Sequence, residues 1–303
     1  MPIDYKRING PDNSEPYHFY SSTAKKSNRE IFDELYSRAQ RIDGRKPDEL
    51  RKIYMKTGVV SQAKGSAYIE LQKTKVIVSV FDPREIPNKN DYSANGELYC
   101  EFKFATFSCR KRRSHQQDNE EKQYSVVLRR ALEPAVCRHE FPNFQVDIYA
   151  LVLENDGSAL AAAITCAGLA LAHAGVPMYD LVTAVTLGIQ NDKLFMDPTM
   201  KEEIVCNVSV PTNQTMETEQ KSKEFNEHGI IILAMLATHE QISELYQTGY
   251  LSLEAITNAI ALLTEANKHI VLLAKKCLVK HVIKHIKDKK MEEDLDANED
   301  KCL

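Results

Sequence analysis

The chain has 303 residues, enough for one large domain or two small ones around a sizeable apolar core. A formal charge of -4 and a pI near 6.2 exclude a dedicated polycation for duplex DNA, though they leave room for a local basic loop that touches RNA. No apolar run approaches the ~18 residues of a membrane span, and Met1-Pro2-Ile3-Asp4-Tyr5-Lys6 has no signal-peptide core, so no membrane partner is expected.

Residues 1–30 are polar and predict a flexible N-terminal extension that orders only against a partner. Ile31 and Leu35 share a helical face before the charged turn Arg41-Ile42-Asp43-Gly44-Arg45. Three β-rich runs follow, Ile53 to Val60, Gly65 to Leu71 and Lys75 to Phe81, the last two joined as a hairpin by Gln72-Lys73-Thr74. Glu97 to Phe107 alternates, with Leu98, Cys100, Phe102 and Phe104 on one side, and predicts a half-buried strand. The polar stretch Ser108 to Gln123 holds Arg110-Lys111-Arg112-Arg113 and then Asp118-Asn119-Glu120-Glu121.

Helical spacing returns over Ser125 to His139 and is followed by an apolar strand from Phe144 to Leu153. That strand runs into the turn Asn155-Asp156-Gly157, after which Ser158 is read as the cap of a helix, 158–174, that is small and apolar on nearly every face. Such a helix must be buried. Its N-terminus turns backbone N–H groups toward the strand ends, the usual seat for a phosphate. Ser158-Ala159-Leu160 stands at that seat without an Arg, a Lys or a second Gly, so the shape of an anion site is present without its chemistry. Met178 to Gly188, Ile204 to Val210 and Gly229 to Thr238 are read as further strands. A long helix from Ser252 to Lys287 carries the stripe Ile256, Ile260, Leu263, Ile270, Leu273, Cys277 and Val282. Residues 288–303 read as an acidic, disordered tail. The plan is α+β, in two layers of sheet and helix.

The seven cysteines, Cys100, Cys109, Cys137, Cys166, Cys206, Cys277 and Cys302, are odd in number and show no C-x-x-C pair. They predict reduced thiols rather than disulfides or a zinc site.

Several of these runs, in this order, resemble the RNase PH family: Arg41 to Arg45, Ala63-Lys64-Gly65-Ser66-Ala67, Thr74-Lys75-Val76, Leu128-Arg129-Arg130-Ala131-Leu132 and Asp156 to Ile164. The resemblance covers roughly residues 38–285 and implies a ribosomal S5 domain 2-like βαβα core, with residues 31–287 as one RNase PH-like domain. Within the family, Ser61 to Tyr68, Ala131 to Val136 and Ala174 to Val182 look most like the mRNA-transport-regulator type of eukaryotic exosome subunit. Such subunits sit in a six-membered ring of RNase PH-like chains beneath S1/KH-domain cap proteins. The resemblance therefore implies ring and cap partners, RNA in a central channel, no cofactor, and placement in nucleus, nucleolus and cytoplasm.

Active relatives hold phosphate with one Arg ahead of the first helix and a Thr-Arg or Ser-Arg pair after the Asp-Gly turn, and use an acid on a later strand. Carried onto this chain, the first Arg falls near Glu120, the pair on Ala159 and Leu160, and the acid near Val205, with Glu203 a rival for that place. These substitutions remove charge-assisted donors and add a like charge, so the resemblance implies a non-catalytic subunit, an active phosphorolytic 3′→5′ exoribonuclease being the alternative. Arg110, Lys111, Arg112 and Arg113 are candidates for RNA contact, or else a solvated run paired with Asp118 to Glu121. Glu154 and Asp156 could be a catalytic carboxylate pair but read better as an acidic turn. His173 reads as a hydrogen-bonded core side chain. His281 and His285 are i,i+4 without a third ligand, and no metal site is expected.

Overall fold

The structure, a computed structural model, describes residues 41, 43–86, 92–109, 112–191, 193–207, 227–236 and 238–299, with side chains as far as 288. The extension at 1–30, nearly all of the helix expected over 31–41, Arg110, Lys111 and Cys302 lie outside these residues.

Strands β1 (Ile53–Thr57), β2 (Gly65–Leu71), β3 (Thr74–Glu85), β4 (Glu97–Phe104) and β5 (Phe144–Glu154) form one sheet in the order β1-β2-β3-β5-β4. β4 and β5 are parallel, as their connection through helix α1 (Asn119–Leu132) requires, and the other pairs are antiparallel. The alternation read in the sequence sets the register. Ala67, Ile69, Val76, Val78, Val80, Phe102 and Phe104 face inward, while Phe81, Tyr99 and Tyr149 meet edge to face on the outer surface.

Helix α2 (Ala159–Ala174) is buried along Ala159 to Leu171 because sheets press on it from both sides. The second sheet has the order β7-β6-β8-β9, from β6 (Val182–Gln190), β7 (Lys193–Met196), β8 (His228–Leu236) and β9 (Gln241–Tyr250). Its inner strands are apolar on both faces. Ala184, Ile230 and Ile232 pack toward α2, while Val185, Leu187, Ile231 and Leu233 pack toward helix α4 (Leu253–Glu299) through Leu263 and Ile270. The expected pairing of a sheet with a helical layer thus occurs twice, as sheet, helix, sheet, helix.

Gly168 allows the close approach of α2 to β6. A Cβ there would lie 2.6 Å from the Val182 carbonyl oxygen, so Gly168→Ala is expected to destabilise the chain by about 1–3 kcal/mol, measurable by urea titration. The open edge of β4 is sealed by α1. Ser125 Oγ and Glu121 Oε1 accept the N–H groups of Phe102 and Phe104 at 2.9 Å each, which removes a template for strand addition.

Four expectations are corrected. The first helix is 119–132 rather than 125–139, because Asp118 and Glu121 form a capping box and Pro134 forbids extension. Ile204 to Val210, read as a strand from its β-branched residues, begins instead inside the short helix α3 (Met200–Cys206), where a Thr199–Glu202 capping box outweighs them. Ser158 does not cap α2 with its hydroxyl. The residue is left-handed at φ 54, and its Oγ donates to the Pro198 carbonyl at 3.2 Å. Where a disordered tail was expected from 288, the backbone of α4 continues to Glu299, in a stretch free of Gly and Pro from Leu253 onward. β7 and β9 were not anticipated, the first for its brevity and the second for its polar sequence.

Candidate functional site

The turn before α2 is held from below by a side chain that the sequence reading passed over. Arg51 is buried and pairs with Asp197 through Nη2–Oδ1 at 2.6 Å and Nε–Oδ2 at 2.8 Å. It also donates to the carbonyls of Asp156 and Gly157 at 3.2 and 3.1 Å and to Thr74 Oγ1 at 3.2 Å. Thr74 closes the bracket, donating to Gly157 O at 2.8 Å and accepting from Asp156 N–H at 3.1 Å. Burial alone would raise the Asp197 carboxyl, but the guanidinium outweighs it and holds the pKa below the usual carboxylate range. Arg41, from the charged turn, makes a similar buried pair with Glu202, at 2.9 and 2.6 Å. Gly157 is needed where it stands. Its φ is +95, and a Cβ would meet the Pro198 carbonyl oxygen at 2.5 Å.

Above this turn lies an open cavity of about 130 Å³, lined by Glu120, Tyr124, Ser158, Ala159, Leu160, Glu203 and Tyr246, among others. The structure therefore gathers Glu120, Ala159, Leu160 and Glu203 around one volume. Val205, the other aligned position, is buried in α3 and does not line it; one helical turn separates the lining residues Glu203 and Asn207, and Val205 falls between them.

The anion seat is occupied by the chain's own carboxylate: Ser158 N–H donates to Glu203 Oε1 at 2.6 Å. Burial pushes the Glu203 carboxyl up to about 7, with Asp197 and Glu120 adding to the rise and the Ser158 N–H and Arg51 opposing it. Below the usual 4.5 both folded and unfolded chains hold this proton, and between 4.5 and about 7 only the folded chain does. Stability from this group is thus lost as pH rises through that window. The expected loss is about 1–2 kcal/mol, discounted from the full shift because the residue stays partly exposed, and Glu203→Gln should flatten it in urea titrations at several pH values.

Among the described residues, none of those lining the cavity is basic. Among the described residues Arg113 reaches the rim, and it is already committed. Its guanidinium donates to Glu120 at 2.9 Å and stacks over the Phe104 ring at 4.0 Å from the centroid. Of the described pair of the basic run, Arg113 is tied to the acidic stretch and Arg112 is exposed. A shallow groove on the other side of Asn155 carries Lys73, Lys75 and Phe107, and there Glu154 pairs with Lys75 at 3.0 Å instead of converging with Asp156 on a reacting atom.

His173 accepts the Ser66 N–H on Nδ1 at 3.2 Å, and the edge of His281 meets its ring 4.6 Å away, which makes it a packing residue at the α2–α4 contact. Among the described residues no group of three His, Cys, Asp or Glu could hold a metal ion, and the six described cysteines are free thiols.

A βαβ sheet, a buried small-residue helix after an Asp-Gly turn, and a second sheet closed by a long helix define the RNase PH fold. Residues 49–177 match the model of the 3′ exoribonuclease family, domain 1. The exosome complex component MTR3 of Homo sapiens is 38% identical over 218 residues, covering 67% of this chain and 75% of that one. The exosome complex component RRP41-like of Arabidopsis thaliana is 36% identical over 238 residues, covering 78% and 84%. A chain of the Archaeoglobus fulgidus exosome with RNA bound to the active site superposes with a TM-score of 0.67 at 20% identity, over 80% of this chain and 97% of that one. The chain belongs to the RNase PH family.

Proposed function

We propose that this chain is a non-catalytic subunit of the RNA exosome core ring. It closes the ring with other RNase PH-like subunits, supports an S1/KH-domain cap subunit and helps line the path of RNA toward 3′→5′ processing and degradation, including rRNA maturation and mRNA turnover. The observation that carries the reading is the pocket at the start of α2, where two carboxylates and an apolar Ala159-Leu160 pair stand in place of phosphate-binding cations. A phosphate dianion would meet like charge there, and losing even one transition-state donor typically costs ~10²–10³ in rate. The outer aromatic face of the first sheet, with Phe81, Tyr99 and Leu151 exposed, supports a role in assembly. The groove bearing Lys73, Lys75 and Phe107 supports contact with RNA. Nucleus, nucleolus and cytoplasm are the proposed locations.

The second reading is an active phosphorolytic exoribonuclease, favoured by Glu203, a carboxyl poised near neutral pH, and by Arg113 at the rim. The two separate when the purified chain, alone and in its native complex, is incubated with single-stranded RNA and inorganic phosphate. The first reading expects no nucleoside diphosphate attributable to this chain. Phosphate-dependent release that disappears in Arg113→Ala or Glu203→Gln would establish the second.

A further inference from the structure

Between Ile270 and Lys287, α4 is docked along one side and, among the described residues, exposed along the other. Ile270 and Ala274 are buried, Cys277 Sγ donates to the Met55 carbonyl at 3.4 Å, and His281 lies against His173. At ~100° per residue, Leu272, Val279, Ile283 and Ile286 fall within roughly 60° of one another on the opposite face. Each is 49–58% exposed, and together they run about 21 Å along the helix. Lys276, Lys280 and Lys287 form a ladder along one flank of this stripe. All three are exposed, and none is in an ion pair among the described residues. From Lys275 to Lys287 the helix has five lysines and no acidic residue.

We propose that this face is a docking surface for an acidic, helical segment of a partner protein. Apolar residues at i, i+7, i+11 and i+14 are the pattern by which one helix lies against another, and the lysine ladder calls for carboxylates on the partner's flank. Other occupants fit less well. The stripe has no aromatic residue on which a base could stack or which could anchor in a bilayer interface. A second copy of the same face would set lysine against lysine. This surface is remote from the pocket's chemistry, so the proposal stands apart from the reading of the pocket as inert.

The test places a photo-crosslinking residue, Ile283→p-benzoylphenylalanine, in the full chain expressed in its own cells with its complexes intact. The crosslinked peptide is then sequenced. The expected product is a protein segment of net negative charge with apolar residues three or four apart. Its yield should fall roughly tenfold in a Lys276→Glu, Lys280→Glu, Lys287→Glu background with an unchanged thermal midpoint. Should that background lose its fold, the same fall is read on the unreversed chain as added salt screens the flank. Crosslinks chiefly to RNA, to lipid, to another copy of this chain or to a neutral or basic segment would overturn the proposal. So would a yield no higher than that from an exposed position off the stripe.

Discussion

Asp197→Ala is expected to lower the stability of the folded chain by about 3–5 kcal/mol, because it strands the Arg51 guanidinium in the interior without its carboxylate. That is a large share of the ~5–15 kcal/mol by which a domain of ordinary stability is held together. The loss should also be structural in a particular place. Arg51 binds Thr74 and the carbonyls of Asp156 and Gly157, so the turn that feeds α2 would loosen along with the pair. Urea titration followed by circular dichroism gives the magnitude, and amide exchange at Gly157 to Ala159 gives the location. The exposed pair Lys64–Asp82 is the contrast, and Asp82→Ala should stay within about 1 kcal/mol of the parent. The depressed pKa of Asp197 gives the pH signature: its contribution is full above the ordinary carboxylate range and is lost as the pH falls through its own lowered value. An Asp197→Ala chain as stable as the parent would remove the Arg51 bracket from the account.

The second large effect is a gain. Glu120→Arg, Leu160→Arg and Glu203→Gln together should convert a pocket that repels phosphate into one that holds it with a dissociation constant on the order of 1 mM, about 4 kcal/mol of binding. Each change has its own reason. The first reverses a rim charge, the second sets a guanidinium beside the start of α2, and the third removes a negative charge from the acceptor of the Ser158 N–H. Phosphate titration by calorimetry reads the result. A folded triple variant that still ignores phosphate would mean that the geometry of the seat, and not only its charge, has been lost.

The parts of this fold that could be read from residues are those where one face or both are buried. The alternation of β4, the hairpin β2–β3 and the uniformly small, apolar α2 stand close to where the sequence placed them, because burial leaves a periodic mark. The anion seat was legible for the same kind of reason, since an apolar strand, an Asn-Asp-Gly turn and a buried helix have one common geometry. What escaped were long-range polar contacts. Arg51 looks like any charged residue before a strand, and Asp197 and Glu202 lie well over a hundred residues away in sequence from the arginines they hold. Glu203 could be named as a rival for the catalytic acid, but that its carboxylate would sit on the N-terminal amide of α2 depended on α3 being a helix. The run Ile204 to Val210 concealed that, while Thr199 with Glu202 three residues later was the available signal.

The most direct test of the filled and cationless seat is the backbone amide of Ser158, followed by ¹⁵N–¹H NMR during titration with inorganic phosphate near neutral pH. The expected result is an amide resonance that follows the Glu203 carboxyl, with a midpoint at a pH of about 7, and that does not move as phosphate is added. Saturable shifts of Ser158, Ala159 and Leu160 with phosphate, with release of the Glu203 contact, would contradict it.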